Sequence, residues 1–483
     1  MKRAACLLLL VLCLSFGAMA DEKILPYEDK ETGEQFLFLP SYMAETQKDG
    51  MTVMHGSTLP VIFIDTVSGS MERVHADKND REQAVFRLYG ADGMLLMADD
   101  LEYIKGHGNA TWQAEKKSYQ IKFQSKEDLF KMGKAKKWLL MANAQDGSFL
   151  RNKLVYDAAL SLNIPYAVES EFVDVYLNGE YAGNYLLTEK VEEGNARVVL
   201  ANDSYLVEVE NHPDAEDITF ETEWGTVFRV HYPEDGETAF IQEKTQALED
   251  AFVNMEGYMD LIEPETFARK AVLDEIAKNN DGFEGSTYFY LTRENGWRFN
   301  GDLFWDYDST FGNWGYRNGY YSNPMGLILP DLSIWYETLC LDEEFMALMQ
   351  EQYLRIKPIF LEYTESTIDK WETVLSASWQ MDYARYKGEF TLTKSSDFKG
   401  QLEALKTFIV ARLEFLDSGI TDGVEYVSVF LDKGERESRY IWVPSGTLLK
   451  DIEPGMKWVF DGSKELLADD LELTFSCMIK EAE

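Results

Sequence analysis

Residues Asp274–Gly312 read DEIAKNNDGFEGSTYFYLTRENGWRFNGDLFWDYDSTFG, and this stretch decides the fold. Its front end closes a helix. Pro264 stands in the first turn, Phe267, Ala271, Val272 and Ile276 recur at helical spacing, and the pattern stops at Asn279-Asn280-Asp281-Gly282. An aromatic run then leads to Asn295-Gly296, a dipeptide that favours a two-residue hairpin turn. With Glu294 facing Trp297, Asp306 falls opposite Gly285, at the end of the hairpin where Asp281 leaves its helix. Asp308 follows on the same side of an extended chain, with Tyr307 facing away. Three carboxylates are expected at one hairpin mouth.

Working outward, short strands precede long helices. LPVIFID (Leu59–Asp65), Gln83–Leu88 and Tyr119–Phe123 read as strands, and Ser148–Leu162 as a helix. Phe172–Leu177 and Tyr181–Leu187 flank Asn178-Gly179, a second hairpin signal. Helical patterns fill Leu341 to Asp417. The order predicts an α+β fold. After a candidate linker at Gly419–Gly423, four short strand-like runs predict a small β module over 424–483. The expected division is a leader over 1–20, a lead-in segment over 21–58 and a main domain over 59–418.

Clustered carboxylates suit phosphoryl transfer, in which one orients the attacking hydroxyl and others hold the divalent ions that bridge nucleotide phosphates. A loop Asp, a polar residue five later, a hairpin and then Asp-aromatic-x is also the order of the protein-kinase catalytic loop and its metal-binding Asp; Ser286 fills the polar position. Two other readings stay open: a DxD metal-nucleotide pattern of a glycosyltransferase-like enzyme, and a solvated acidic hairpin.

Upstream, Gly106-His107-Gly108-Asn109 forms a Gly-rich turn whose N–H groups could cradle phosphate, with Asn109 beside it. Lys116, Lys117, Lys122, Lys131, Lys134, Lys136 and Lys137 follow in one neighbourhood, then Arg151 and Asn152 at the head of a helix. In an acidic chain, such a cationic island suits a triphosphate.

IKGHGNATW followed by KKSYQIKF, then GKAKKWLLMANAQDGSFLRNKL, EFVDVYLNGEYAGNYLLTEKVE, NND…YFY and WDYDSTFG resemble, in order, the blocks of the spore-coat protein H (CotH) kinase family. The resemblance covers Leu59 to Asp417. It implies an atypical protein-kinase-like catalytic domain that uses ATP and Mg²⁺ (with Mn²⁺ or Ca²⁺ as alternatives) to phosphorylate protein serine or threonine. It further implies Asp281 as the catalytic-loop aspartate, Asp306 as metal ligand with Asp308 and Ser286 beside it, and Lys117 (or Lys116) and Arg151 as phosphate contacts. Glu189 is the candidate carboxylate to position Lys117. His107 stands where the family usually has Arg, and Ser286 where it has Asn; both departures remove strong ligands. A catalytically silent surface adhesin on the same scaffold is the alternative from another class.

The chain has 483 residues with 46 basic and 85 acidic side chains, a net charge of −39. Such a surface repels nucleic acid and favours Lys/Arg-rich protein substrates. Lys2-Arg3, the apolar run Cys6–Phe16 and Ala18-Met19-Ala20 have the order of a secretory signal peptide, so a secreted or surface-associated protein is expected, with no membrane span in the mature chain. Without that leader only Cys340 and Cys477 remain, which excludes a disulfide framework. The C-terminal module is expected to bind cell wall, carbohydrate or protein, or to act as a spacer.

Overall fold

A computed structural model describes residues 58–482, except 211, 215, 235–237, 284, 314–321, 389–396, 421–423, 435–437, 454 and 462. It also gives three short strands before them, Pro26–Glu28 (β1), Gln35–Phe38 (β2) and Thr52–Met54 (β3), which pair in one sheet. The proposed leader over 1–20 lies outside the described residues.

The first half of the main domain closes on itself. Strands Val61–Thr66 (β4), Glu82–Tyr89 (β5), Leu95–His107 (β6), Ser118–Asp128 (β7), Lys134–Met141 (β8), Ser170–Leu177 (β9) and Glu180–Thr188 (β10) form a closed barrel in the order β10-β8-β7-β6-β5-β4-β9. Alternation decides what goes inside. Ile62 and Ile64, Phe86 and Leu88, Ile104, Ile121 and Phe123, Trp138 and Leu140 and Val173 and Val175 fill one apolar interior. The same alternation turns Lys105, Gln120, Lys122 and Lys137 outward, because β6, β7 and β8 pair Lys105 with Gln120 and Lys122 with Lys137. Asn178 and Gly179 both take positive φ, 51° and 82°, at the turn between β9 and β10, as the Asn-Gly dipeptide leads one to expect.

Helix α1 (Arg151–Ser161) lies between β8 and β9 in the chain, and its Leu154, Val155 and Ala158 share an apolar core with a second sheet. That sheet runs in the order β12-β13-β11-β14, from Tyr205–Val209 (β11), Thr219–Glu221 (β12), Val227–Tyr232 (β13) and Thr287–Leu291 (β14). Helices Ala239–Val253 (α2), Pro264–Ala277 (α3), Glu343–Glu362 (α4), Ile368–Tyr386 (α5) and Phe398–Gly419 (α6) complete the body. Mixed sheets and helices make the fold α+β.

One expectation is corrected. The turn at Asn295-Gly296 is not a two-residue hairpin. Asn295 bonds Thr292 through both its backbone N–H and its side chain, and Trp297 N–H closes on the Thr292 carbonyl at 2.9 Å. The wider turn pairs Tyr290 with Asn300, one residue off the expected register. β14 finds its strand partner in β11 instead.

The C-terminal module holds Tyr426–Asp432 (β15), Arg439–Pro444 (β16), Thr447–Leu448 (β17), Trp458–Phe460 (β18), Glu472–Leu473 (β19) and Cys477–Glu481 (β20), of which the sequence pattern missed β17 and β20. Val429, Ile441, Leu449 and Trp458 share the apolar core of the helices, and Leu327 N–H bonds the Trp442 carbonyl at 2.8 Å. The module packs on the body rather than standing apart. Cys340 and Cys477 are both free thiols.

Candidate active site

The site is built where α3 ends. Lys278 takes left-handed backbone (φ 47°) and terminates the helix, and its buried ammonium donates to the carbonyls of Asn323 and Met325 at 2.7 and 2.6 Å. Asn279 then folds the loop. Its side-chain oxygen accepts from Asp281 N–H at 3.2 Å, and its carbonyl accepts from Gly282 N–H at 3.2 Å. A Cβ at Gly282 would lie 2.9 Å from that carbonyl, so the turn that presents Asp281 requires glycine.

Asp306 comes to the same place from the other side. It has a left-handed backbone (φ 63°), and its Oδ2 accepts from the Ser286 hydroxyl at 3.1 Å. Neighbours on both sides fix this loop. Tyr307 N–H donates to Asn152 Oδ1 at 2.7 Å, and the Tyr307 hydroxyl donates to Asp274 Oδ1 at 2.6 Å inside the core. Phe311 N–H closes on the Ala277 carbonyl at 2.6 Å, joining the two loops directly. Tyr307 thus faces away while Asp306 and Asp308 remain half-buried beside the cleft.

Electrostatics reflect that crowding. Burial, and then repulsion from Asp281, pushes Asp306 up to about 7. Burial, and then repulsion from Asp306, pushes Asp308 up to about 7 as well. Glu208 on β11 and Glu210, just past the end of that strand, add to the negative field at Asp306. Among the described residues no three carboxylate, imidazole or thiolate groups already stand close enough to share one ion. The donor set nevertheless fits a small hard cation: two crowded carboxylates, Asp306 and Asp308, with the Ser286 hydroxyl bound to the first. Magnesium usually takes only one or two protein carboxylates.

The expected phosphate contacts have other partners. Lys117 donates to the carbonyls of Trp112 and Ala114 at 2.8 and 3.1 Å and lies over the Trp112 ring. Glu189 accepts instead from Arg197 and from Glu169 N–H, so the expected Glu189–Lys117 pairing does not form. A carboxylate buried at that depth needs a cation or N–H donor beside it, and Arg197 is the one in reach. Lys116 is buried against Asp382 of α5 at 2.5 Å. Gly183 makes room for that pair, since a Cβ there would meet Asp382 Oδ2 at 2.6 Å. Arg151 is buried in an ion pair with Asp146 and donates to the Thr310 carbonyl at 2.8 Å, bracing the loop that carries Asp308. Asn109 accepts from Lys78 at 2.9 Å.

Sequence reasoning missed Asp146, Glu208 and Glu210, and with them Lys105, Lys190, Arg229 and His231. Alternation in LVEVE, with Glu208 and Glu210 on one face, was the readable signal; the cations come from strands far apart in sequence.

A family model described as CotH kinase protein matches residues 104–416, and the chain belongs to that family. No curated protein matches the chain.

Proposed function

We propose that this chain is a secreted atypical protein kinase, built on a kinase-like scaffold, that moves the γ-phosphate of ATP to a serine or threonine of a protein substrate. The observation that carries the reading is the meeting of Asp281 with Asp306. Two loops of the Asp274–Gly312 stretch, joined through Phe311 and Ala277, bring a turn carboxylate and a strained, protonation-shifted carboxylate to one cleft. Membership of a family described as kinase supports it.

Asp281, on a half-buried turn, accepts the proton of the attacking hydroxyl. The substrate oxygen forms its bond to the γ-phosphorus as the bond to the ADP oxygen breaks, and the released ADP carries that electron pair. Asp306 and Asp308, with Ser286, would hold Mg²⁺ (or Mn²⁺ or Ca²⁺), which supplies charge neutralisation at the phosphates. Asn152 and Arg151 act through backbone, holding Tyr307 N–H and the Thr310 carbonyl so that both aspartates keep their aim.

Incubation with γ-labelled ATP, Mg²⁺ and a serine-containing basic peptide tests this reading. Transfer of label to peptide serine that is lost in Asp306→Ala supports it. A folded protein that transfers no label to any of a panel of protein acceptors, with each of the three metals, overturns it and leaves the surface-adhesin alternative. Transfer of a sugar from a nucleotide sugar would instead favour the DxD reading.

A further inference from the structure

The outer face of the barrel and the second sheet enclose a cavity of about 510 Å³ whose lining includes Lys122, Lys137, Lys190, Arg229 and His231. In a chain of net charge −39, this concentration of cations is out of keeping with the rest of the surface. Strand register creates it. Lys122 and Lys137 are direct cross-strand partners, and like charges so placed repel. Carboxylates relieve part of the repulsion: Lys122 pairs with Glu102 at 2.8 Å, Lys137 with Glu192 at 2.9 Å and Arg229 with Asp217 at 2.7 Å.

Among the described residues Lys105 and Lys190 make no such ion pair, and both act on the same neighbours as Arg229. Burial, then Lys137, Arg229 and Lys105, bring Lys190 down to about 8 despite nearby Glu192. Burial, then Lys190, Lys105, Lys78 and Arg229, bring His107 down to about 3. Lys190 and His107 thus both sense Lys105 and Arg229. Lys190 and Arg229 line the cavity, and Lys105 stands two residues along β6 from Tyr103, the cross-strand partner of the lining residue Lys122, beside the Gly-rich turn that contains His107.

This space connects to the carboxylates. Arg229 on β13 is the cross-strand partner of Glu208 on β11, which is the partner of Tyr288 on β14. The three side chains share a face, and His231 on that face meets Glu208 at 2.6 Å. Two strand spacings, roughly 10 Å, separate Arg229 from the strand that Ser286 leads into. An extended polyphosphate can bridge such a gap, with one end among the cations and the other at Asp306.

We propose that Lys190 and Lys105, with Arg229, form the cradle for the polyphosphate chain of the nucleotide, in place of Lys117. The inference rests on the phosphotransferase reading and names the residues that recognise its donor. An extended acidic or phosphorylated peptide is the competing occupant. The phosphate reading is favoured because the cation cluster adjoins a carboxylate site fit for a metal ion.

Isothermal titration of the full chain with inorganic tripolyphosphate, without divalent metal, tests the cradle separately from catalysis. Wild type should bind saturably and more weakly as salt rises. Lys190→Met and Lys105→Met should each weaken binding by about tenfold or more, the scale of one charge-assisted contact. Lys190→Arg should restore much of it, and exposed Lys399→Met should change nothing. In the turnover assay, Lys190→Met should raise KM for ATP more than it lowers kcat. Tripolyphosphate binding without phosphotransfer would sink the kinase reading and keep the anion site. Unchanged tripolyphosphate affinity and unchanged KM for ATP in both methionine variants would overturn the cradle while leaving the kinase reading intact. The cradle is also overturned if a phosphoserine peptide binds at Lys190 and tripolyphosphate does not compete.

Discussion

Ser286 donates its hydroxyl hydrogen to Asp306 at 3.1 Å, and both residues occupy left-handed backbone, with φ of 50° and 63°. Non-glycine residues held there cost on the order of 1–3 kcal/mol each, and such strain gathers at functional sites. Asparagine tolerates that backbone better than serine and offers a carbonyl oxygen to a cation. Ser286→Asn should therefore lower the Mg²⁺ concentration for half-maximal turnover, and Ser286→Ala should raise it. A metal titration in which neither variant moves the midpoint removes Ser286 from the metal site.

Asp281→Asn addresses the base. Its carboxylate stands on a half-buried turn fixed through its backbone N–H, which the substitution leaves in place. Turnover should fall by about 10²-fold or more, the usual contribution of a positioned base, while Tm stays within about 2 °C of wild type. Near-normal turnover would exclude Asp281 from proton transfer.

The crowded pair Asp306 and Asp308 should give the metal-free protein a distinctive pH dependence. Both sit at about 7, above the ordinary carboxylate value, so the folded state holds protons that the unfolded state has already released. Their contribution to stability is fully present below pH 4 and is lost as pH rises through 7. In chelator, Asp308→Asn should raise Tm at pH 8 and leave it little changed at pH 5. Thermal melts across that range check the sign, and a variant that lowers Tm at pH 8 contradicts the repulsion.

How much of this was readable in the sequence depends on the range of the interaction. Local signals were clear: Pro264 opening α3, the Asn178-Gly179 turn, and the stop at Asn279–Gly282 all lie within a few residues of what they determine. Asp306 was brought to Asp281 by an expected hairpin that does not exist in that form. The two meet because Phe311 N–H closes on the Ala277 carbonyl, a contact that no periodicity encodes. Lys116, Arg151 and Glu189 looked available because sequence does not show burial, and each pairs with a buried partner: Asp382, Asp146 and Arg197. Barrel closure was also invisible, since it depends on β4 pairing in parallel with β9 across more than a hundred residues.

The acidic surface should select substrates. Asp281, Asp306 and Asp308 make the acceptor side of the cleft negative, in keeping with a net charge of −39. Peptides with Lys or Arg around the target serine should be preferred through faster encounter, and the preference should shrink toward about 0.5 M salt as screening shortens. Equal kcat/KM for acidic and basic peptides at low salt would show that the charge does not act on substrate.

The last prediction concerns what holds the loops in place. Glu275 on α3 and Arg412 on α6 form a fully buried ion pair at 2.5 Å. The Glu275 carboxylate also accepts from the N–H groups of Ile328 and Leu329, and the guanidinium donates to the carbonyls of Glu275, Pro324 and Gly326. The pair therefore ties α3, which ends three residues before Asp281 begins its turn, to the segment that Leu327 joins to the C-terminal module. Replacing a buried pair with apolar residues can be neutral, but removing one partner strands the other charge and its hydrogen bonds. Arg412→Met should cost about 3–5 kcal/mol. The exposed pair Lys457–Asp469 provides the contrast: Lys457→Met should change stability by less than about 1 kcal/mol. Chemical denaturation of both variants measures this, and a cost for Arg412→Met no larger than for Lys457→Met would show that the buried pair does not hold the catalytic loop to the module.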